Sequence, residues 1–169
     1  MKTLTLIRHA KSSHDNPAAL DFHRTLNPRG RRDAPRMGRY LREELAWSPD
    51  QLISSPATRA ITTARLIAEE SGYDVFRIRQ EESIYEAPVR NLLEVISEVD
   101  ENVNHLCLVG HNPGMENLTN WLLGERGISA MVTCGVAILE LNVPNWTRLK
   151  EKSATLKHFL QPKVLWGES

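Results

Sequence analysis

Two histidines of this sequence each follow directly after an apolar run with the composition of a buried strand. His9 follows residues 4–7 with Arg8 between them, and His111 follows a run that ends at Gly110. Imidazole can act as a nucleophile or a proton carrier near neutral pH, and arginine is suited to bidentate contacts with phosphate. Histidine and arginine at strand ends therefore predict a site of phosphoryl transfer through a histidine.

A second arginine has a similar position after a third apolar run. The segment SSPATRA, residues 54–60, joins a predicted strand to a predicted helix and carries Arg59 in the first turn of that helix. In open α/β sheets, ligands bind at the edge where strands end and helices begin, and helix N-termini attract anions there. We therefore expect Arg59 to meet Arg8 and the two histidines around one phosphoryl group.

Each of these residues also has an ordinary structural explanation when it is considered alone. A histidine at a strand end is often a packing or surface residue, His111 could cap the following helix, and Arg59 could be solvated. Arg8 is less ordinary, because a charge that ends an apolar strand needs an anionic partner or water. The joint placement at three strand ends, rather than any single residue, favours the site.

Hydrophobic periodicity predicts an alternating order of strands and helices. Predicted strands cover residues 3–7, 51–54, 75–78, 105–109, 135–141, 146–149 and 155–160. Predicted helices begin at Asn27-Pro28, Ser55-Pro56, Pro88 and Asn112-Pro113, where a capping residue or a proline marks the first turn. The first helix should extend to about Leu45, kinked or delayed at Pro35, and Gly72 should end the second. Residues 10–23 are polar and predict a loop.

This order predicts an α/β fold made of a single three-layer domain over residues 1–169. We expect a mostly parallel central sheet with helices on both faces and antiparallel late strands. The chain is 41% apolar and 25% charged, which is ordinary for a folded domain. Of its two cysteines, Cys107 lies in an apolar run and is expected to be a buried thiol, and the spacing to Cys134 makes no zinc site.

Net charge and hydropathy limit the classes of partner. The formal net charge is zero, so binding to nucleic acid or to an anionic membrane is not indicated. No run approaches the roughly 20 apolar residues of a membrane span, and the first apolar stretch is too short for a signal peptide. A cytoplasmic protein is the simplest expectation.

Charge is nevertheless uneven along the chain. Basic residues crowd an early segment: Arg24, Arg29, Arg31, Arg32, Arg36, Arg39 and Arg42. Acidic residues crowd a later one: Glu69, Glu70, Asp74, Glu81, Glu82 and Glu86. Either both segments are solvated faces, or the arginines form a basic rim beside an anionic substrate.

The ordered motifs resemble the histidine phosphatase superfamily, whose fold is phosphoglycerate mutase-like. Residues 6–10, LIRHA, resemble its RHG/RHA signature, residues 54–64 its second arginine motif, and residues 109–114, VGHNPG, its second histidine motif. Residues 11–13, 24–30 and 83–87 are similar to the small SixA-type phosphohistidine phosphatases. The similarity covers nearly the whole chain, and the ordered set is far more specific than the Arg-His pair alone.

The resemblance implies that His9 is the nucleophile that takes up the phosphoryl group. It also implies that Arg8, Arg59 and His111 surround the phosphate and stabilise the charge that develops during transfer. A neutral imidazole has a free lone pair, and the resulting phosphohistidine is labile enough for water to hydrolyse. Two arginines and one protonated histidine could supply the charge that metal ions supply elsewhere, so we expect no metal and no other cofactor.

The resemblance gives further roles to Arg24, Asn112 and Glu86. Arg24 matches a superfamily arginine that reaches the phosphate or the flank of the substrate, and Asn112 is a candidate substrate contact. Glu86 lies where ester-cleaving branches carry the acid that protonates the leaving oxygen. SixA-type enzymes do without this acid, since phosphohistidine offers a good leaving group. Glu86 is therefore either the general acid or a salt-bridge partner of a pocket arginine.

Little of the chain is available to cover the pocket, because residues 10–23 are its longest irregular stretch. A shallow, open site favours a phosphorylated protein side chain over a small metabolite. Within the resemblance, the substrate would be phosphohistidine on a phosphorelay or phosphotransfer protein. Three alternatives stay open: a small-molecule phosphomonoester phosphatase or mutase of the same superfamily, a non-catalytic phosphoprotein-binding module, and a metallohydrolase. The sequence does not indicate an oligomeric state.

Overall fold

The computed structural model describes residues 1–167, apart from the side chain of Arg126, as an α/β domain built around one six-stranded sheet. The strands are β1 (Thr3–Arg8), β2 (Gln51–Ser54), β3 (Arg79–Gln80), β4 (His105–Gly110), β5 (Val136–Leu141) and β6 (Ala154–Leu160). Their order in the sheet is β3-β2-β4-β1-β5-β6. β1 to β4 pair in parallel, whereas β5 is antiparallel to β1 and β6 is antiparallel to β5. The predicted mostly parallel sheet with antiparallel late strands is confirmed.

Helices cover both faces of the sheet, as predicted. They are α1 (Pro28–Leu45), α2 (Thr58–Ser71), α3 (Val89–Ser97), α4 (Gly114–Leu123) and α5 (Pro162–Trp166). Successive strand residues point to opposite faces. Leu4, Leu6, Leu106 and Leu108 therefore pack in one buried cluster with α3 and α4, whereas Ile7, Cys107 and Val109 pack in another with α1 and α2. No helix among residues 1–167 is long and apolar enough to cross a membrane.

Local signals fix the ends of two helices where the sequence predicts them. The side chain of Asn27 caps α1 by accepting a hydrogen bond from Gly30 N–H at 2.9 Å. The helix then continues through Pro35 to Leu45. Gly72 ends α2 with φ of 90°, a left-handed conformation that glycine adopts without steric cost.

Several predicted boundaries are wrong. The predicted strand over residues 75–78 is instead a 3-10 turn, Val75–Arg77, because Asp74 accepts a hydrogen bond from Phe76 N–H, and only the short β3 follows. The predicted strand over residues 146–149 is also a 3-10 turn, Trp146–Arg148, in which Trp146 is buried and donates from its indole to Val103 O. The short α5 has no counterpart in the prediction.

The predicted cap-and-proline starts are early by two residues for α2 and by one residue for α4. α2 begins at Thr58, because the hydroxyl of Ser55 contacts the ring of His111 and Ala57 N–H instead of capping the helix. α4 begins at Gly114, although Asn112 still accepts a hydrogen bond from Glu116 N–H. Both departures place polar groups at the edge where β2 and β4 end.

Candidate active site

A cavity of about 650 Å³ lies where β1, β2 and β4 end and their following segments begin. Because the three strands are parallel neighbours, the residues that follow them meet at one edge of the sheet. The cavity brings together every site residue proposed from the sequence: Arg8, His9, Arg24, Arg59, Glu86, His111 and Asn112. Their common placement is observed, and their individual roles remain predictions.

His9 is held on both sides by the sheet. Its N–H donates to Gly110 O at 3.0 Å, and Cys134 N–H from the segment before β5 donates to the carbonyl oxygens of Arg8 and His9. The ring nitrogen Nδ1 lies 2.7 Å from Ala10 O. Since a carbonyl only accepts, Nδ1 carries the proton in the neutral ring and Nε2 carries the lone pair.

Burial keeps the imidazole of His9 neutral. It lowers the pKa of His9 to about 3, and His111, Arg59 and Arg8 add smaller repulsive contributions. The hydrogen bond to Ala10 O acts in the opposite direction without overcoming them. At neutral pH, therefore, Nε2 has the free lone pair that nucleophilic attack on phosphorus requires.

His111 is oriented by Ser55, which the sequence indicates as a helix cap and not as a site residue. His111 Nε2 lies 2.7 Å from Ser55 Oγ, which also accepts a hydrogen bond from Ala57 N–H. The Ser55 hydroxyl can donate its own proton to Nε2, which leaves the proton of neutral His111 on Nδ1. The ring centroids of His9 and His111 are 5.3 Å apart.

The expectation of a protonated histidine in the pocket needs correction for the phosphate-free protein. Burial, followed by repulsion from Arg59, lowers the pKa of His111 to about 4, so the ring is neutral near pH 7. A neutral His111 with its proton on Nδ1 still donates one hydrogen bond. A bound dianion would raise this pKa again, because an opposite charge favours the imidazolium form.

Arg8 and Arg59 are held by different partners. Arg8 donates from Nη1 to Met131 O at 3.1 Å, and the nearby carboxylate of Glu116 opposes the fall in its pKa that burial causes. Glu116 is thus the anionic neighbour that a charge at the end of β1 requires. Arg59, whose side chain is only 6% exposed, donates from Nη1 and Nη2 to Asp21.

Three buried polar atoms of this pocket have no hydrogen-bond partner within the described protein. They are Arg8 Nε, Arg59 Nε and His111 Nδ1. Buried polar atoms are nearly always paired, and leaving one unpaired costs about 1–3 kcal/mol. Two guanidinium nitrogens and an imidazole nitrogen around one cavity match the donors that bind phosphoryl oxygens. The site can therefore bind an anion next to the neutral nucleophile His9.

Asp21 lines the cavity and Tyr85 contacts it there, although the sequence indicates neither as a site residue. Asp21 accepts a hydrogen bond from Tyr85 OH at 2.5 Å and forms ion pairs with Arg59 and Arg24. The hydrogen bond from Tyr85 and then the charge of Arg59 hold the pKa of Asp21 well below its usual range. Burial and Asp21 together raise the pKa of Tyr85 to about 12. Asp21 lies in a polar loop without periodicity, so only its spacing of three residues from Arg24 could have indicated it.

The remaining predicted residues have distinct surroundings. Arg24 donates to Asp21 and to Ser12 Oγ, so it joins the pocket through the loop. Asn112 donates to Met131 O at 2.7 Å and binds protein groups at both ends of its amide. Glu86 is exposed on the cavity wall with φ of 54°, which is strained for a residue other than glycine. Among the described residues, Asp21 rather than Glu86 is the carboxylate paired with pocket arginines.

The arginine-rich segment before and within α1 is mostly paired on the protein surface. Arg29 and Arg32 lie near Asp33, Arg39 pairs with Glu70, and Arg42 pairs with Glu43. These pairs favour the interpretation of solvated helix faces, whereas Arg24 alone of the predicted basic cluster lines the cavity. Over residues 1–167, no group of three or more His, Cys, Asp or Glu side chains is arranged to hold a metal.

Comparison with known proteins gives the family. The model of the histidine phosphatase superfamily (branch 1) matches residues 4–101. An uncharacterised protein of Mycobacterium tuberculosis is 33% identical over 166 residues, with coverage of 93% of this chain and 100% of that protein.

Solved structures support the same assignment. A crystal structure assigned as the phosphohistidine phosphatase SixA from Agrobacterium tumefaciens has a TM-score of 0.80 and 28% identity, covering 95% of this chain and 98% of that chain. The protein histidine phosphatase SixA complexed with tungstate shares the fold with a TM-score of 0.82 and 18% identity, over 96% of this chain and 99% of that one. A mycobacterial glucosyl-3-phosphoglycerate phosphatase shares it with a TM-score of 0.68 and 15% identity, over 94% of this chain and 98% of that one. This chain belongs to branch 1 of the histidine phosphatase superfamily and is a SixA-like phosphatase.

Proposed function

We propose that the protein removes phosphoryl groups from phosphohistidine on proteins, without a metal, through a covalent phosphohistidine on His9. The observation that carries the proposal is a set of buried atoms around a neutral histidine: Arg8 Nε, Arg59 Nε and His111 Nδ1, which are unpaired in the described part of the chain. Phosphoryl transfer depends mainly on positioning and on stabilisation of charge at the phosphoryl oxygens. These donors supply both functions without a divalent cation.

The first chemical step forms a bond between His9 Nε2 and phosphorus. The bond from phosphorus to the substrate nitrogen breaks at the same time, and its electron pair remains on the leaving imidazole. Positive charge develops on the ring of His9, where the hydrogen bond from Nδ1 to Ala10 O stabilises it. The two arginines and His111 act on the phosphoryl oxygens, where preorganised donors lower the barrier.

The second step regenerates the enzyme. Water attacks phosphorus, the bond to His9 Nε2 breaks, and its electron pair returns to the ring as the lone pair. The proton lost from water passes to the released phosphate or to solvent. Neutral His9 is then ready for another cycle, because burial disfavours its protonated form.

The exposure of the cavity rim supports the proposal that the substrate is a protein. His14, Asp21, Glu86 and Asn117 are exposed residues of the cavity lining, so the phosphoryl site is reachable from the surface. A phosphohistidine side chain is borne on a macromolecule and needs such access. The similarity to the structure assigned as SixA agrees with this substrate class.

Glu86 favours a second candidate, hydrolysis of a small phosphate ester. Its carboxylate is on the cavity wall on a strained backbone, and strain of this kind is often found at functional sites. An alkoxide leaving group needs a proton in the transition state, and Glu86 could supply it. The fold similarity to a glucosyl-3-phosphoglycerate phosphatase agrees with this alternative.

Glu86→Gln should distinguish the two substrate classes. With phosphohistidine on a protein, the rate should hardly change, because the imidazole leaves without a strong acid. An alkyl phosphate should lose roughly tenfold to a hundredfold in kcat, and an aryl phosphate should lose less, in line with general acid catalysis. Initial rates of phosphate release with the three substrates give the comparison.

The neighbouring exposed carboxylate of Glu82 provides a matched control, and Glu82→Gln should leave all three rates unchanged. An equal large loss with every substrate would assign Glu86 to the organisation of the pocket instead. Activity confined to alkyl phosphates and abolished by Glu86→Gln would contradict the phosphohistidine proposal.

A further inference from the structure

Asp21 binds one particular edge of the Arg59 guanidinium. Arg59 Nη1 donates to the backbone carbonyl of Asp21 at 2.6 Å, and Nη2 donates to its carboxylate at 2.9 Å. These two nitrogens form the outer edge of the planar group. The other edge consists of Nε and the second N–H of Nη2, and Nε is buried with no hydrogen-bond partner among residues 1–167. An arginine has five N–H donors in a fixed fork, so both edges can be used at once.

Asp21 leaves the edge formed by Nε and Nη2 free. Arginine can use this edge to bind two phosphoryl oxygens at once. Contact between Asp21 and the outer edge fixes the rotation of the guanidinium plane, and this rotation determines where the free edge points. The backbone carbonyl alone would hold one nitrogen and leave the plane free to turn. The carboxylate supplies the second contact that fixes it.

The carboxylate is itself fixed by groups from other parts of the chain. Arg24 donates to the second carboxylate oxygen at 3.1 Å, and Tyr85 OH donates to the same oxygen as Arg59. The ring of Tyr85 packs edge-on against His111, with centroids 5.4 Å apart. Asp21 thus connects the loop before α1, the helix α2 and the wall beside His111.

We infer that Asp21 is a positioning residue that orients Arg59 for bidentate contact with the phosphoryl group. The inference rests on the proposed function only in taking the phosphoryl group as the ligand of Arg59. It adds a role for a loop carboxylate that contacts neither the nucleophile nor the reacting phosphorus.

A carboxylate near the phosphoryl site could have the opposite effect and compete with the anion. Its negative charge, however, is balanced by Arg24 and Arg59, and its side chain is half exposed, so water screens its repulsion. Arg59 is almost fully buried and has no such screening, so the orientation of its donors has the larger consequence. Loss of the carboxylate should therefore weaken anion binding rather than strengthen it.

Binding of tungstate, measured by calorimetry, tests this role without requiring turnover. Asp21→Ala should raise the dissociation constant about tenfold or more, and Asp21→Asn, which keeps one oxygen acceptor, should give an intermediate loss. Asp15→Asn, an exposed carboxylate change in the same loop, should leave binding unchanged and serves as the matched control. Thermal unfolding of each variant verifies that the fold is retained.

A double-mutant cycle then shows whether Asp21 acts through Arg59. Asp21→Ala should have little further effect on tungstate binding in an Arg59→Ala background, but should keep its full effect in an Arg8→Ala background. Equal effects in both backgrounds, or tighter tungstate binding by Asp21→Ala, would overturn the positioning role. Tungstate binding that depends on Asp21 in this way, together with no hydrolysis of any phosphorylated substrate, would support the positioning role and contradict the proposed enzyme function.

Discussion

His9→Ala should abolish turnover of an aryl phosphate, with a loss of at least about 10⁴-fold, while the protein remains folded. Without the imidazole there is no lone pair to attack phosphorus, and the arginines alone stabilise charge without forming a bond. Acid-sensitive, base-stable phosphate should be trapped on His9 of the unmodified protein when turnover is stopped by rapid denaturation under alkaline conditions. Peptide mass spectrometry identifies the modified residue.

The matched control for this change is His158→Ala, which alters an exposed histidine of β6 that does not line the cavity. We expect that variant to keep full activity and the same trapped phosphate. Near-normal turnover by His9→Ala, or trapped phosphate on another residue, would contradict covalent catalysis at this position.

The second large effect should come from Arg59. Arg59→Ala is expected to lower kcat/KM for an aryl phosphate by about 10²-fold or more, because one preorganised donor is worth roughly that factor in charge stabilisation. Arg59→Lys should recover only part of the loss, since an ammonium group cannot bind Asp21 and two phosphoryl oxygens in one plane. Steady-state rates, with tungstate as a competitive inhibitor, measure both effects.

Arg39→Ala removes a surface arginine that pairs with Glu70 and should leave the kinetics unchanged. Arg8→Ala should resemble Arg59→Ala, because both residues have a buried Nε in the pocket with no partner among the described residues. Full activity of Arg59→Lys would show that bidentate contact is not needed, and binding of tungstate unaffected by Arg59→Ala would remove the site assignment.

The site residues that could be predicted from the sequence are those that lie at or just after the ends of strands. Arg8, His9 and His111 end two central strands, and Arg59 lies in the first turn after a third, so the topology of parallel strands brings them together. The apolar runs that form these strands are continuous and buried, which makes their ends visible in the sequence.

The parts that escaped prediction depend on contacts between side chains distant in sequence. Asp21 contacts Tyr85, which is 64 positions away in the sequence, and Arg59, which is 38 positions away. Hydrophobic periodicity does not indicate contacts of this kind. The sequence predicts Ser55 as a helix cap, because a serine before a proline is typical of one, but its hydroxyl contacts the ring of His111 instead. Residues 75–78 have strand-like composition, yet the local hydrogen bond of Asp74 favours a turn there.

The burial that keeps the histidines neutral has a consequence for the fold in acid. Burial is the main cause that lowers the pKa values of His9 to about 3 and of His105 and His111 to about 4, whereas the unfolded chain protonates near the ordinary value of about 6.5. Between these limits the unfolded chain binds more protons than the folded protein. Each of the three histidines therefore lowers the free energy of unfolding by up to about 1.4 kcal/mol for each unit by which the pH falls within that range. Two of these histidines, His9 and His111, belong to the pocket, so the neutrality that serves its chemistry also makes the whole domain sensitive to acid. An anion bound beside His111 relieves part of that sensitivity, because it favours the imidazolium form.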